Sequence, residues 1–218
     1  MRQTGLILAT GMTIAAMLGG MGLAVRHLPS GATLPVHWSA DGEIDNFAPA
    51  AHALLIAPVM TLLTAALLMV LPSLPFTGAG LARSPGLRET VWATLLVLFG
   101  SIQVSLVGIA MGWATHGALP IDLAVAFLFI VLGNILPKSR PMHFIGFRTP
   151  WALADEDNWI ATHRLAGRIM MIEGLVMIPL AVLPVPRDIL IPLRQVMGIG
   201  LILMVFLYSW QIARRKVG

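Results

Sequence analysis

The chain has 218 residues, of which 57% are hydrophobic and only 11% are charged, and its mean hydropathy is +0.86. A soluble domain carries about 25% charged residues because water must solvate its surface. The composition therefore excludes a soluble enzyme, a disordered chain and a fibrous protein, and it indicates an integral membrane protein. The absence of cysteine excludes disulfides, thiolate nucleophiles and cysteine-based metal sites. The net charge of +4 is interpreted as topology information, so no direct contact with nucleic acid is expected.

Apolar segments recur along the chain at the length that a bilayer requires, which is about 20 helical residues. We predict an all-α membrane protein with six transmembrane helices over residues 5–25, 53–71, 91–113, 119–136, 169–185 and 189–210. Arg2 precedes the first segment as in a signal peptide, but the apolar stretch exceeds the roughly 7–15 residues of a signal h-region. An uncleaved anchor is therefore favoured. The many glycines of this first segment also predict close helix packing there.

The sidedness of the chain is predicted from its basic residues, since Lys and Arg accumulate on cytoplasmic loops. If both termini are cytoplasmic, eleven of the 14 Lys and Arg residues lie inside. The three that would lie outside are Arg26, Arg187 and Arg194. This arrangement leaves one long ordered outer loop over residues 26–51 and one long ordered inner loop over residues 137–168. These loops hold most of the polar residues and are the candidate functional regions.

The outer loop combines acidic and aromatic residues. Alternation from Leu34 to Trp38 predicts a short strand, followed by a turn at Asp41-Gly42. As a hypothesis, its acids attract a cationic peptide and its aromatic side chains contact the apolar part of that peptide; the alternative is that the aromatic residues only anchor the loop at the membrane interface. The candidate contact residues are His37, Trp38, Asp41, Glu43, Asp45 and Phe47. The spacing of the acids matches no EF-hand loop, so no metal site is predicted.

The inner loop is rich in proline. Prolines at positions 137, 141 and 150 exclude a continuous helix, which predicts an ordered loop. Three acids at positions 155–157 then begin a helix that we expect to lie along the membrane before the fifth span. Trp159 and His163 are four residues apart and share one face of that helix.

Two polar residues are predicted inside the spans. Glu173 lies about one turn into the fifth predicted span and requires a partner or water there. Arg168, Asn134 and Arg148 are the candidate partners at a similar depth, and we expect either a structural ion pair or a ligand or proton site. Gln103 and Asn134 are expected to form hydrogen bonds between helices.

Three runs of residues carry a resemblance to a known family. Gly-Asn-Ile-Leu-Pro-Lys-Ser-Arg-Pro from Gly133, Ile-Gly-Phe-Arg-Thr-Pro-Trp from Ile145, and Thr-His-Arg from Thr162 resemble the signature of the SdpI-like family of bacterial membrane proteins. The run Leu-Pro-Val-His-Trp from Leu34 resembles the N-terminal domain that accompanies this signature. The positions that match the inner motif are Asn134, Pro137, Lys138, Pro141, Gly146, Arg148, Thr149, Pro150, Trp151, Trp159, His163 and Arg164.

The resemblance implies a multi-pass protein of the bacterial inner membrane, with an N-terminal helix pair over residues 1–72 and an SdpI-like four-helix region over residues 73–218. The founding member protects its cell from a secreted toxic peptide and, once toxin-bound, holds a transcriptional repressor at the membrane. The resemblance thus implies an immunity or sensor protein that confers resistance to a secreted peptide toxin or to another envelope stress agent. We expect that it is not an enzyme and that it has no cofactor. Its expected partners are the lipid bilayer, a secreted toxic peptide outside and a cytoplasmic repressor inside.

Two alternatives remain open at this point. The first is a transporter or exporter of small hydrophobic molecules, for which Pro58 and Pro179 would kink two spans. The second is a metal-dependent membrane enzyme built on His143, His163 and Glu173.

Overall fold

The computed structural model describes residues 3–38, 44–74, 78–84, 86–113 and 118–217. Within these ranges the elements are, in chain order, α1 Gln3–His27, β1 Thr33–Trp38, β2 Ile44–Pro49, α2 Ala50–Val70, α3 Gly78–Ala82, α4 Leu87–Ala110, α5 Ala118–Ile135, α6 Pro150–Ala154, α7 Glu156–Val182 and α8 Arg187–Val217. Helices α1, α2, α4, α5, α7 and α8 are long and apolar enough to cross a membrane. The prediction of six apolar spans is therefore confirmed.

The two ends of the helix bundle have separate cores. At one end, which we call the hairpin end, Leu34 of β1 packs with Ala24, Ala53 and Leu106 from α1, α2 and α4. At the other end, which we call the motif end, a larger apolar cluster joins the start of α1, the end of α2, the starts of α4 and α7, and the end of α8. Successive long helices therefore alternate in direction between the two ends.

The hairpin end contains a β-hairpin in a protein that was predicted to be all-α. Strands β1 and β2 pair antiparallel, with Thr33 opposite Pro49 and an irregular register around His37. The strand predicted over residues 34–38 is confirmed, whereas its partner β2 was not predicted. A buried Leu34 fixes which face of the hairpin lies against the helices, because side chains alternate between the faces of a strand.

Two predictions about the inner loop are wrong in detail. The helix that begins at Glu156 continues without interruption to Val182, so it is the first part of the fifth span rather than a separate helix along the membrane. Within the predicted loop, Pro150–Ala154 forms the short helix α6. Pro150 occupies the first helical position, where a missing N–H costs nothing, and Thr149 caps the helix by accepting a hydrogen bond from the N–H of Ala152 at 3.2 Å.

Glycine packing occurs between α5 and α7. A Cβ added to Gly133 would lie 2.7 Å from the carbonyl oxygen of Gly167, and one added to Gly174 would lie 2.7 Å from that of Ala126. Both helices repeat a small residue at an interval of seven, which brings the two antiparallel backbones into close approach.

The close packing predicted for the glycine-rich α1 is wrong. Added Cβ atoms at Gly5, Gly11, Gly19 and Gly22 would meet none of the described residues within 4 Å, and among the described glycines of α1 only Gly20 approaches another helix, at Val107. The glycines of α1 therefore face mostly away from the other helices.

Near the hairpin end, two charged residues of the spans neutralise each other. Arg194 of α8 donates two hydrogen bonds to the carboxylate of Asp122 in α5, at 3.1 and 2.9 Å. This bidentate geometry is the strongest form of such a pair. It makes two charges compatible with helices that are otherwise apolar.

Candidate functional site: a buried polar and aromatic centre at the motif end

His163 lies at the centre of the residues that match the inner motif. Its side chain is completely buried and stacks on the ring of Trp159, with the ring centroids 4.0 Å apart. The edge of Phe147 approaches it at 6.0 Å. The prediction that Trp159 and His163 share a helix face is confirmed, and the contact with Phe147 shows that the loop folds back over this face.

Both nitrogens of the His163 ring are used in hydrogen bonds. Nε2 accepts from the backbone N–H of Phe147 at 3.0 Å, so Nδ1 carries the proton and donates to the carbonyl oxygen of Trp159 at 2.8 Å. A neutral imidazole has one donor and one acceptor, and these two bonds satisfy both. His163 therefore binds the loop to α7 through one fixed tautomer.

Glycine is the residue type that fits at position 146, beside this ring. Its φ of +116° lies in the region that disfavours side chains. An added Cβ would lie 2.5 Å from Nε2 of His163 and 3.0 Å from the Trp159 ring. The glycine permits both the turn and the approach of the loop backbone to the buried rings.

The other edge of Trp159 connects to a second part of the loop. Its Nε1 donates to Oγ of the buried Ser139 at 3.0 Å, and that hydroxyl donates to the carbonyl oxygen of Leu136. The next residue, Arg140, donates its backbone N–H to Oγ of Ser84 at 2.8 Å. The loop is thus bonded to α7 and to the segment that follows α3.

A separate polar network joins the loop to α7 and α8. Buried Asn158 donates from Nδ2 to the carbonyl oxygen of Ser209 at 2.9 Å. Its Oδ1 accepts from Thr162 and from the Ser209 hydroxyl, each at 2.9 Å. The same Ser209 hydroxyl lies 2.6 Å from Oγ1 of Thr149. Four polar side chains that would be costly to bury singly thereby satisfy one another.

Trp151 makes the apolar contact between the loop and α8. Its ring meets the edge of Phe206 with the centroids 5.2 Å apart and the planes at 69°. This edge-to-face geometry suits aromatic rings, whose edges are positive and whose faces are negative. Since Thr149 and Trp151 both contact α8, the start of α6 is attached to the last span.

Ion pairs surround the start of α7. Glu156 pairs with Arg83 and with Arg140, at 3.3 Å, while Lys216 of α8 reaches Asp155 at 2.7 Å and Asp157 at 3.3 Å. The hydrogen bond from Lys216 lowers the pKa of Asp155. Asp155 also caps the helix by accepting the N–H of Asp157, so the acids are helix-start residues as predicted and in addition anchor neighbouring segments.

The remaining motif residues lie around this centre. Pro137 packs beside Gly167, where a Cβ would lie 2.5 Å from its ring, and Pro141 is partly buried. Arg148 donates to the carbonyl oxygen of His143 at 2.9 Å. The exposed positions of the motif are Asn134, Lys138, Arg148, Pro150 and Arg164. Asn134 is therefore a surface residue of α5, and its expected hydrogen bond between helices stays a prediction.

The described outer-loop candidates do not gather in a buried centre as the motif residues do. Nδ1 of His37 lies 2.6 Å from a carboxylate oxygen of Asp45, and both side chains are exposed. Phe47 is 55% exposed, which leaves it open to lipid or to a ligand. Asp41, Glu43 and the side chain of Trp38 lie outside the described residues, so their predicted contacts are not placed.

The two polar residues predicted inside the spans have different surroundings. Gln103 donates to the carbonyl oxygen of Met17 at 3.2 Å and so joins α4 to α1. Glu173 is 7% exposed, and within the described ranges its Oε2 has no hydrogen-bond partner. Because α7 begins at Glu156, Glu173 lies about 25 Å along the helix, beside Gly174 and the middle of α5. The predicted position one turn into the span is wrong, and no described cation pairs with it.

The geometry does not support the metal enzyme built on His143, His163 and Glu173. His163 and Glu173 are separated by ten residues of one continuous helix, which is about 15 Å. Both ring nitrogens of His163 already bond to the backbone. Zinc ligands must lie about 2 Å from the same ion, so these residues are too far apart to share one.

Several residues that complete the centre were not predicted from the sequence. Asn158, Ser139 and Ser209 are completely buried polar residues, and Ser209 lies in an apolar span some 50 residues from its partners. Asn158 directly precedes Trp159 in the sequence, but no sequence signal pairs it with Ser209. The Thr-Pro pair at 149–150 is a helix-start signal that could have identified α6.

Comparisons with known proteins agree with this picture. Residues 138–212, which span the loop, α6, α7 and most of α8, match the family model described as the SdpI/YfhL protein family. The chain is also similar to Immunity protein SdpI of Bacillus subtilis (strain 168), with 27% identity over 154 residues, which cover 69% of each chain. No solved structure matches the chain significantly. The resemblance to the SdpI-like family predicted from the sequence is confirmed, and together with the six apolar helices it identifies a multi-pass cell membrane protein.

Proposed function

We propose that this chain is a non-enzymatic membrane immunity protein that protects its cell from a secreted toxic peptide. The similarity to Immunity protein SdpI supports the class of function. The buried centre supports the assignment of this function to particular residues. In it, the backbone amide of Phe147 donates a hydrogen bond to the ring of His163. The residues of this centre fall largely within the region that matches the family.

In this proposal the centre couples the loop to the membrane-spanning helices. Any shift of α7 moves the His163 ring, and any shift of α8 moves Ser209 and Phe206, which bond to or pack on residues 149 and 151. A toxin that alters the packing of the spans would thereby move the loop. The exposed Lys138, Arg148 and Arg164 then offer a basic surface that a cytoplasmic regulator could recognise.

The immunity function is tested in the native bacterium after deletion of the gene. The deletion strain is complemented with the wild-type chain, Gly146→Ala or Gly112→Ala and challenged with concentrated supernatant of a wild-type culture. Both glycines have positive φ, but a Cβ at 146 meets the His163 ring, whereas one at 112 meets none of the described residues within 4 Å. At equal membrane abundance we expect Gly146→Ala to lose at least ten-fold in survival and Gly112→Ala to match the wild type.

Two outcomes would contradict the proposal. If the deletion strain survives as well as the complemented strain, the chain is not an immunity protein against the peptides of its own cell. If Gly146→Ala protects fully, the buried centre has no part in protection.

The proposed sidedness places the hairpin end outside the cell and the motif end in the cytoplasm, in line with the distribution of Lys and Arg. The chain has no cysteine, so one introduced thiol can be labelled selectively. Asn46→Cys on the hairpin and Lys138→Cys at the motif end both replace exposed residues. We expect a membrane-impermeant maleimide to label Asn46→Cys in intact cells and Lys138→Cys only after permeabilisation; the reverse pattern would invert the topology.

The division of the chain at residues 72 and 73 stays a prediction. Within the proposal, the N-terminal part supplies the hairpin that meets an external peptide, through His37, Asp45 and Phe47 among the described residues. No observation on the described residues favours the transporter alternative.

A further inference from the structure

A groove between α7 and α8 lies on the surface of the bundle near the motif end. Its volume is about 730 Å³, which is within the range of small-molecule sites. Leu165 of α7 faces Met204 and Leu207 of α8 across it, and Trp210, Arg214 and Arg215 line its far end. The groove is separate from the buried centre, whose hydrogen-bonding residues do not line it.

The lining changes from apolar to cationic along α8. Met204, Leu207 and Arg214 recur at spacings of three and seven residues and therefore lie on one helix face. About 15 Å separates Met204 from Arg214 along the axis. A ligand that fills the groove must consequently carry an apolar chain at one end and an anionic group at the other.

The two arginines are available to an external anion. No carboxylate among the described residues pairs with Arg214 or Arg215, whereas the neighbouring Lys216 is neutralised by Asp155 and Asp157. The guanidinium of Arg214 lies 4.9 Å from the ring centroid of Trp210, which holds it in place by a cation–π contact. Guanidinium groups bind phosphate oxygens in a bidentate manner.

The occupant is indicated by the surroundings of α8. In the most apolar 18-residue stretch of α8 only 11% of the residues are buried, against 28% for α7. Met204 and Leu207 are both more than half exposed. In a spanning helix this exposed face is covered by lipid chains. Basic pockets between transmembrane helices bind the headgroups of anionic lipids.

We propose that this groove binds one anionic phospholipid, with its phosphate between Arg214 and Arg215 and an acyl chain along Leu165, Met204 and Leu207. The bound lipid fills the gap between α7 and α8 and adjoins the spans that hold the buried centre. The proposal rests on insertion of α8 in a membrane and is independent of the immunity function.

The test counts lipids retained by the purified full chain in native mass spectrometry, after incubation with phosphatidylglycerol or phosphatidylcholine of identical acyl chains. We expect the wild type to retain one phosphatidylglycerol with at least a five-fold preference. Arg214→Gln/Arg215→Gln should abolish the preference. The control Arg26→Gln/Lys138→Gln removes the same charge outside the groove and should keep it.

Several results would overturn the proposal. The first is equal retention of the two lipids by the wild type, and the second is an equal loss of preference in the control variant. The third is displacement of the lipid by inorganic phosphate alone, which would make the groove a phosphate site. Arg215→Gln alone leaves the contact between Arg214 and Trp210 intact, and it provides the same test if the double variant fails to fold. We expect it to lower the preference at least two-fold, and an unchanged preference would count against the site.

Discussion

At the motif end, Asn158 and His163 are completely buried and bond to backbone and side-chain groups of the loop and of α7 and α8. At the hairpin end, His37 and Asp45 bond to each other at the surface. The buried groups have exchanged their hydration for specific partners, so the loss of one partner leaves another group unsatisfied. The exposed pair can return to water when it breaks.

The protein requires one particular structure at the motif end more than at the hairpin end. The motif loop is held by polar bonds whose atoms come from distant parts of the chain, so its conformation depends on the correct assembly of the last spans. The hairpin depends on its own strand pairing and on the burial of Leu34. We therefore expect substitutions at the motif end to affect the whole bundle and substitutions on the hairpin surface to remain local.

The largest effect is expected from Gly167→Val. Its side chain would collide with the backbone of Gly133 and with Pro137, and neither can move without separating α5 from α7. Overpacking of this kind costs about 3 kcal/mol. We expect a large fall in the midpoint of thermal unfolding in detergent and reduced membrane abundance.

The matched control for this change is Gly22→Val in α1. A Cβ at that position meets nothing within 4 Å, so its unfolding midpoint should stay near that of the wild type. Equal losses from the two substitutions would contradict the assignment of close packing to α5 and α7 rather than to α1.

A smaller effect is expected from Asn158→Ala. The change removes the side-chain hydrogen bond to the Ser209 carbonyl and the acceptor of the buried Thr162 hydroxyl, which costs about 2 kcal/mol. Asn46→Ala on the exposed face of the hairpin should change the free energy of unfolding by less than about 0.5 kcal/mol. Denaturant titration of both variants in the same detergent measures the contrast, and similar losses would contradict the difference between the two ends.

Much of the candidate site was visible in the sequence. The loop prolines, the spacing of Trp159 and His163, and the acids at the start of α7 each act within a few residues, and local rules describe them well. Glu173 shows the limit of this reasoning. Its predicted depth was wrong because hydropathy marks where a helix becomes apolar, whereas α7 begins earlier, at Glu156, after the cap residue Asp155.

The glycines show a second limit. α1 is rich in glycine and its glycines face mostly open space, while single glycines at positions 133, 167 and 174 form the close contact between α5 and α7. Composition counts the small residues of a helix, but it does not say which face meets a neighbour. That choice depends on how the helices rotate and pack.

Hydropathy, capping and motif spacing are local properties of the chain, and they were enough to predict the membrane class, the six spans, the helix start at residues 155–157 and the family resemblance. Helix packing was needed to join Ser209 to Asn158 and Thr149, to place the Phe147 amide on the His163 ring and to pair Asp122 with Arg194. These contacts link residues between 16 and 72 positions apart. Their formation depends on the three-dimensional arrangement of the helices, which brings buried polar atoms within bonding distance of each other.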